Sequence, residues 1–151
     1  SVDKAITLGF AGFNSASSAN ISPQSADGGV SGTMTVTGQV DQGTSANKGM
    51  RLLDALSSYS DDGKVTYNTD SNALPALTIN LKGIPTGTLD GSLNGSFAMS
   101  GELGGQLLLA LTFAGQIESG PNNTVVRKTG TTHITGTATS AAGTYAVDVT
   151  R

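Results

Sequence analysis

The chain has 151 residues and a formal net charge of −3, with 13% charged residues, 36% hydrophobic residues and no cysteine. Charged side chains are about half as frequent as in an average globular protein, and Gly, Ser, Thr, Ala and Asn supply the polarity instead. The absence of cysteine excludes disulfides, thiolate metal sites and a cysteine nucleophile, and eight Lys and Arg spread along the chain offer no clustered basic face for nucleic acid or an anionic membrane.

No apolar run approaches the ~20 residues that span a bilayer as a helix. The length suits one domain covering residues 1–151. A chain that starts at Ser1 without methionine, with a hydroxyl-rich composition poor in Lys and Glu, gives the expectation of an exported bacterial protein whose leader has been removed. Such a protein is periplasmic, surface-anchored or extracellular.

Along the chain, residues 5–13 alternate Ile6, Leu8 and Phe10 against Thr7 and Gly9, which predicts a first strand. Residues 14–29 are rich in Ser, Ala and Asn around Pro23 and read as a long loop or loose edge. Residues 30–40 place Met34, Val36, Gly38 and Val40 on one face and Thr33, Thr35, Thr37 and Gln39 on the other, a pattern that suits a half-buried strand. Residues 47–60 read two ways. Met50, Leu53 and Leu56 have helical spacing, giving a short helix near 48–58, whereas Leu52, Asp54, Leu56 and Ser58 alternate as a strand. The following Ser60-Asp61-Asp62-Gly63 is a hairpin turn leading into residues 64–68.

Residues 77–117 put large apolar side chains and glycines on odd positions, a rhythm only a sheet with one buried face can keep. An odd-length turn around Ile84-Pro85-Thr86 sets Leu81 opposite Leu89, Ile79 opposite Gly91 and Leu77 opposite Leu93. A turn at Leu103-Gly104-Gly105 sets Met99 opposite Leu109, Phe97 opposite Leu111 and Gly95 opposite Phe113. At the far end, a turn at residues 140–143 pairs Ala138 with Tyr145, Gly136 with Val147 and Ile134 with Val149. Glycine repeatedly meets a bulky partner, which suits a strongly coiled sheet with a filled interior. The fold class is therefore all-β: a single antiparallel meander of roughly 8–10 strands forming a barrel or a two-sheet sandwich. A lipid-facing outer-membrane barrel has the same alternation but needs aromatic girdles, and this chain has no Trp, three Tyr and four Phe.

Candidate chemistry is sparse. His133, the single histidine, lies on the outward parity of its strand, and no Gly-x-Ser-x-Gly turn accompanies it. Asp54, Asp90, Glu102 and Glu118 are scattered, which places no acid pair for glycoside hydrolysis. Asp61, Asp62, Asn68, Asp70 and Asn72 crowd one end of the hairpin, where alternating oxygens could serve Ca²⁺ or simply make turns; with Tyr59 and Tyr67 they are also the candidate rim for a glycan. Inward Gly91, Gly95, Gly101 and Gly115 could open an apolar cavity beside Leu93, Phe97, Met99, Leu109 and Phe113. Arg127-Lys128 reads as a solvated loop.

A β framework without a catalytic constellation points to a non-catalytic binding or structural domain with a protein, glycan or lipid partner. The alternatives are a small barrel carrying an apolar ligand such as a lipid, and a polysaccharide hydrolase. No cofactor is expected beyond the candidate Ca²⁺, and the oligomeric state is open.

Overall fold

The computed structural model describes residues 1–41 and 43–151. An N-terminal helix α1 (Val2–Ser15) is followed by β1 (Asn20–Asp27), β2 (Ser31–Asp41), β3 (Asn47–Ser60), β4 (Val65–Asn68), β5 (Ala76–Lys82), β6 (Thr88–Gly101), β7 (Gly105–Ser119), β8 (Val125–Arg127), β9 (His133–Ser140) and β10 (Gly143–Thr150). All ten strands join one antiparallel sheet ordered β1-β2-β3-β4-β6-β7-β9-β10, with β5 pairing β3 and β6 and β8 pairing β7. The all-β meander expected from the alternation is therefore present, with β1 and β10 as its free edges.

The first segment is the main correction: residues 5–13 form the middle of α1 and not a strand. Ile6, Leu8 and Phe10 fit a two-residue rhythm, but Val2, Ala5, Ile6, Gly9, Phe10 and Phe13 also recur every three to four residues. Only a narrow stripe through Thr7, Ala11, Asn14 and Ser15 is exposed, as expected of a helix enclosed on most sides. Small residues allow the enclosure. A Cβ on Gly9 would meet Ile79 Cδ1 at 2.7 Å, and one on Gly12 would meet Ile21 Cδ1 at 2.6 Å.

The helix dictates the curvature of the sheet. It packs on β1 through Gly12 and Ile21 and is hydrogen-bonded to β8 through Asn14. In a flat sheet those strands would lie roughly 29 Å apart at ~4.8 Å per strand, far wider than a helix of about 10–12 Å. The sheet therefore curls around α1, and residues from β1, β2, β3, β5, β6, β7, β8 and β9 join the helix in one buried cluster.

Residues 47–60 are a strand, so the helical alternative near 48–58 is overturned. Met50, Leu52, Asp54 and Leu56 are buried while Leu53, which helical spacing would bury, is 43% exposed. The alternation then breaks. Ser58 and Tyr59 together oppose the single residue Gly32, a β-bulge between the pairs Ser31–Ser60 and Thr33–Ser57. Gly32 has φ +71°, and a Cβ there would lie 2.1 Å from the Ser58 carbonyl oxygen. The extra residue turns Tyr59 inward, where it is fully buried.

The registers of β5 on β6 and of β9 on β10 are those predicted, residue for residue. That of β6 on β7 is displaced: Met99 faces Gly105, Phe97 faces Leu107, Gly95 faces Leu109 and Gly91 faces Phe113. The loop is centred on Glu102, not Gly104. Because the shift is even, the odd-numbered side chains keep the inner face, and Phe113 lies directly over Gly91.

Candidate functional site

The polar end of the β3–β4 hairpin is occupied by its own backbone. Asp61 Oδ1 accepts hydrogen bonds from the Tyr59 hydroxyl (2.7 Å), the Gly29 N–H (3.1 Å) and Lys4 Nζ (3.4 Å). Burial alone would raise this carboxyl, but those donors hold it below the usual carboxylate range. Asp62 Oδ1 receives the Lys64 and Val65 N–H groups at 2.8 and 3.2 Å, which lower its pKa. Asn68 Oδ1 takes the Ser58 N–H (2.8 Å) at the bulge, and Asp70 Oδ1 takes the Asn72 N–H (2.9 Å). These are Asx turns and bulge caps. Among the described residues no three His, Asp or Glu side chains converge as a metal site. Tyr59 and Tyr67 are ladder partners, yet the first is buried and the second half-buried, so they form no exposed rim.

The apolar residues proposed to line an internal chamber are mostly core. Leu93, Phe97 and Phe113 are buried and Met99 and Leu109 half-buried. Leu93, Phe97 and Leu109 border an inner space of only about 70 Å³, shared with Tyr67 and Asp54. Helix α1 takes the volume that a ligand would need. Asp54 is 2% exposed, and its Oδ1 has no hydrogen-bond partner. Desolvation pushes its carboxyl up to about 6.

His133 lies on the outer face as expected, with Nε2 2.6 Å from Asp148 Oδ1 across the β9–β10 ladder. Among the described residues no Ser or Thr hydroxyl is hydrogen-bonded to its ring, so the pair lacks the third member of a nucleophilic triad. Asp90 is held by Asn80 and Lys82 on β5.

Sequence reasoning missed a cleft of about 690 Å³ between the exposed stripe of α1 and the segment around β8. Two polar stitches frame it. Near the helix C-terminus, Asn14 Nδ2 donates to the Val125 carbonyl (2.8 Å) while its Oδ1 accepts the Val125 N–H (2.9 Å), so one side chain mimics a strand partner. Near the N-terminus, Arg127 Nη1 lies 2.7 Å from Asp3 Oδ1, and Nη2 donates to Thr7 Oγ1 (2.7 Å) and to the Asp3 carbonyl (3.2 Å). The anchors are eleven residues apart on the helix, roughly 16 Å at 1.5 Å per residue. Arg127, expected in a solvated loop, is thus a half-buried tie, and its neighbour Lys128 is exposed. The one sequence signal was the adjacency of two cations in a chain with eight.

Compared with known protein families, curated proteins and solved structures, the chain matches no family model and shows no significant similarity to a curated protein or a solved structure.

Proposed function

We propose that this chain is an exported, non-catalytic β domain with a binding role at the cell envelope or outside the cell. The observation that carries the binding role is the α1–β8 cleft. Its two walls are fixed by Asn14 and Arg127, whereas Lys128 at its rim makes no ion pair among the described residues. A preorganised recess on a rigid scaffold lowers the ordering cost of binding. The hairpin acids support the same reading by elimination, because one carboxylate oxygen of each of Asp61, Asp62 and Asp70 is engaged by a backbone N–H group. The hydroxyl-rich, Lys-poor composition supports export.

Amide chemical-shift mapping of the ¹⁵N-labelled protein against a mixed fragment library tests the binding role. Perturbations are expected to gather on residues 3–14 and 125–130. Hits confined to the β3–β4 hairpin, or none at all, would overturn it. Fractionation of the source cells tests export.

A further inference from the structure

The cleft has an apolar floor, made by Ala11 on the exposed stripe of α1 and by the edge of the otherwise buried Phe10, with half-buried Val126 on the facing wall. Its rim has the opposite character. Arg127, Lys128 and Arg151 all border the cleft, three of the eight Lys and Arg in a chain whose net charge is −3. The single acid on the lining, Asp3, is already paired with Arg127. Among the described residues neither Lys128 nor Arg151 forms an ion pair, and both are exposed. The local balance of side-chain charge is therefore positive in an otherwise acidic protein, and it sits directly beside apolar surface.

We propose that the cleft binds an acidic amphiphile of the long-chain carboxylate class. The carboxylate head lies between the Lys128 ammonium and the Arg151 guanidinium, which can clamp it with two parallel N–H···O bonds. The alkyl chain lies along Phe10, Ala11 and Val126, while the methylene stems of the two cations cover its flank. Neither half suffices alone. An inorganic anion would gain only a screened surface contact, and a neutral chain would leave the two cations without a partner. This inference names the ligand of the binding reading above and rests on it.

Isothermal titration with laurate below its micelle concentration tests the proposal, with dodecanol and inorganic phosphate as the two half-ligands. Laurate is expected to bind saturably at one site, at least tenfold more tightly than either control. The K128Q/R151Q double variant should weaken laurate at least tenfold, and Ala11→Glu, which sets a like charge on the floor, should do the same. Both changes are at exposed positions, so unchanged melting temperatures verify folding. Equal binding of dodecanol, equal binding of phosphate, no binding of laurate, or double-variant affinity equal to that of the parent would each overturn the proposal. So would cosedimentation with phosphatidylglycerol vesicles at matching strength, which would reassign the site to a membrane surface. Failure of laurate with fragment hits still on residues 3–14 and 125–130 removes the ligand class and leaves the binding reading standing.

Discussion

At one margin of the sheet, β1 carries Pro23 inside a bulge and lies under α1; at the other, β10 runs eight regular residues with neither proline nor bulge. The inner face of β1 places Ile21 in the core against Gly12. The inner face of β10 leaves Tyr145 56% and Val149 37% exposed. Both are antiparallel edge strands paired to a single neighbour, so the contrast shows that α1, not strand pairing, decides which end is a core. On β3 and β5, which the helix also covers, side chains alternate between buried and more exposed. Beyond its reach, the alternation persists in sequence but buries little.

The sharpest way to break this comparison is to hollow out the helix. Ile6 is fully buried at the centre of the cluster, and Ile6→Ala is expected to cost about 3–4 kcal/mol by loss of contacts and creation of a cavity. Val149→Ala, the same kind of truncation at the bare end, should cost less than about 1 kcal/mol, because Val149 keeps more than a third of its surface in water and lies outside the buried cluster. Urea unfolding of the two variants gives the answer. Equal losses would mean that the sheet is organised without α1.

Among the described residues, Asp54 is the place where the helix-filled interior works against itself. Its folded pKa of about 6 stands above the 3.8 of an unperturbed aspartate, so the folded state holds the proton more tightly than the unfolded state. Its contribution to stability is full below about pH 4, is lost as pH rises through 6, and is flat beyond. At 1.36 kcal/mol per pH unit the cost at neutral pH is roughly 3 kcal/mol. Asp54→Asn is therefore expected to raise stability by up to about that amount at pH 7.5 and to change it little at pH 4. Denaturation of both proteins at the two pH values checks it, and a variant less stable at pH 7.5 would contradict it.

How much of this was legible depended on distance along the chain. The β5–β6 and β9–β10 pairings followed from short turns and from glycines set against Ile79, Val147 and their neighbours, all local information. The β6–β7 register slipped because Gly104 and Gly105 looked like the turn while the loop centres on Glu102, and only parity survived. Tyr59 was read as part of a glycan rim because nothing in 47–60 announces a bulge; the glycine that permits it, Gly32, lies on another strand. The reading of α1 failed because Ile6 and Phe10 satisfy both periods, and only the enclosing sheet decides between them. The cleft was least legible of all. Its ties join Asp3 to Arg127 and Asn14 to Val125, residues more than a hundred positions apart that no local pattern connects.

Those ties should be measurable as well. Asn14→Ala removes both hydrogen bonds to Val125 and leaves that residue's N–H and carbonyl unmatched beside the helix. The expected cost is about 1–2 kcal/mol, smaller than that of hollowing the core because Asn14 itself is exposed. The loss should be accompanied by faster amide exchange in β8 and not in β5, since β8 has only β7 and the helix to hold it. Uniform exchange acceleration across the sheet would show that the stitch is not local.

The smallest effect lies at the bare margin and changes no stability at all. Thr132 and Arg151 exchange both backbone hydrogen bonds, so in the alternating antiparallel ladder Tyr145, Val147 and Val149 also direct their N–H groups to β9. Thr144, Ala146, Asp148 and Thr150 direct theirs outward, where a single chain offers no partner. Hydrogen exchange should therefore alternate along β10, with odd-numbered amides protected and even-numbered ones fast. Protection of the even set would mean that another strand covers this edge, and its dependence on protein concentration would identify that strand as a second copy. An edge without proline, bulge or lysine has few defences against such pairing, and Ala146→Pro would block it at the cost of no existing ladder bond.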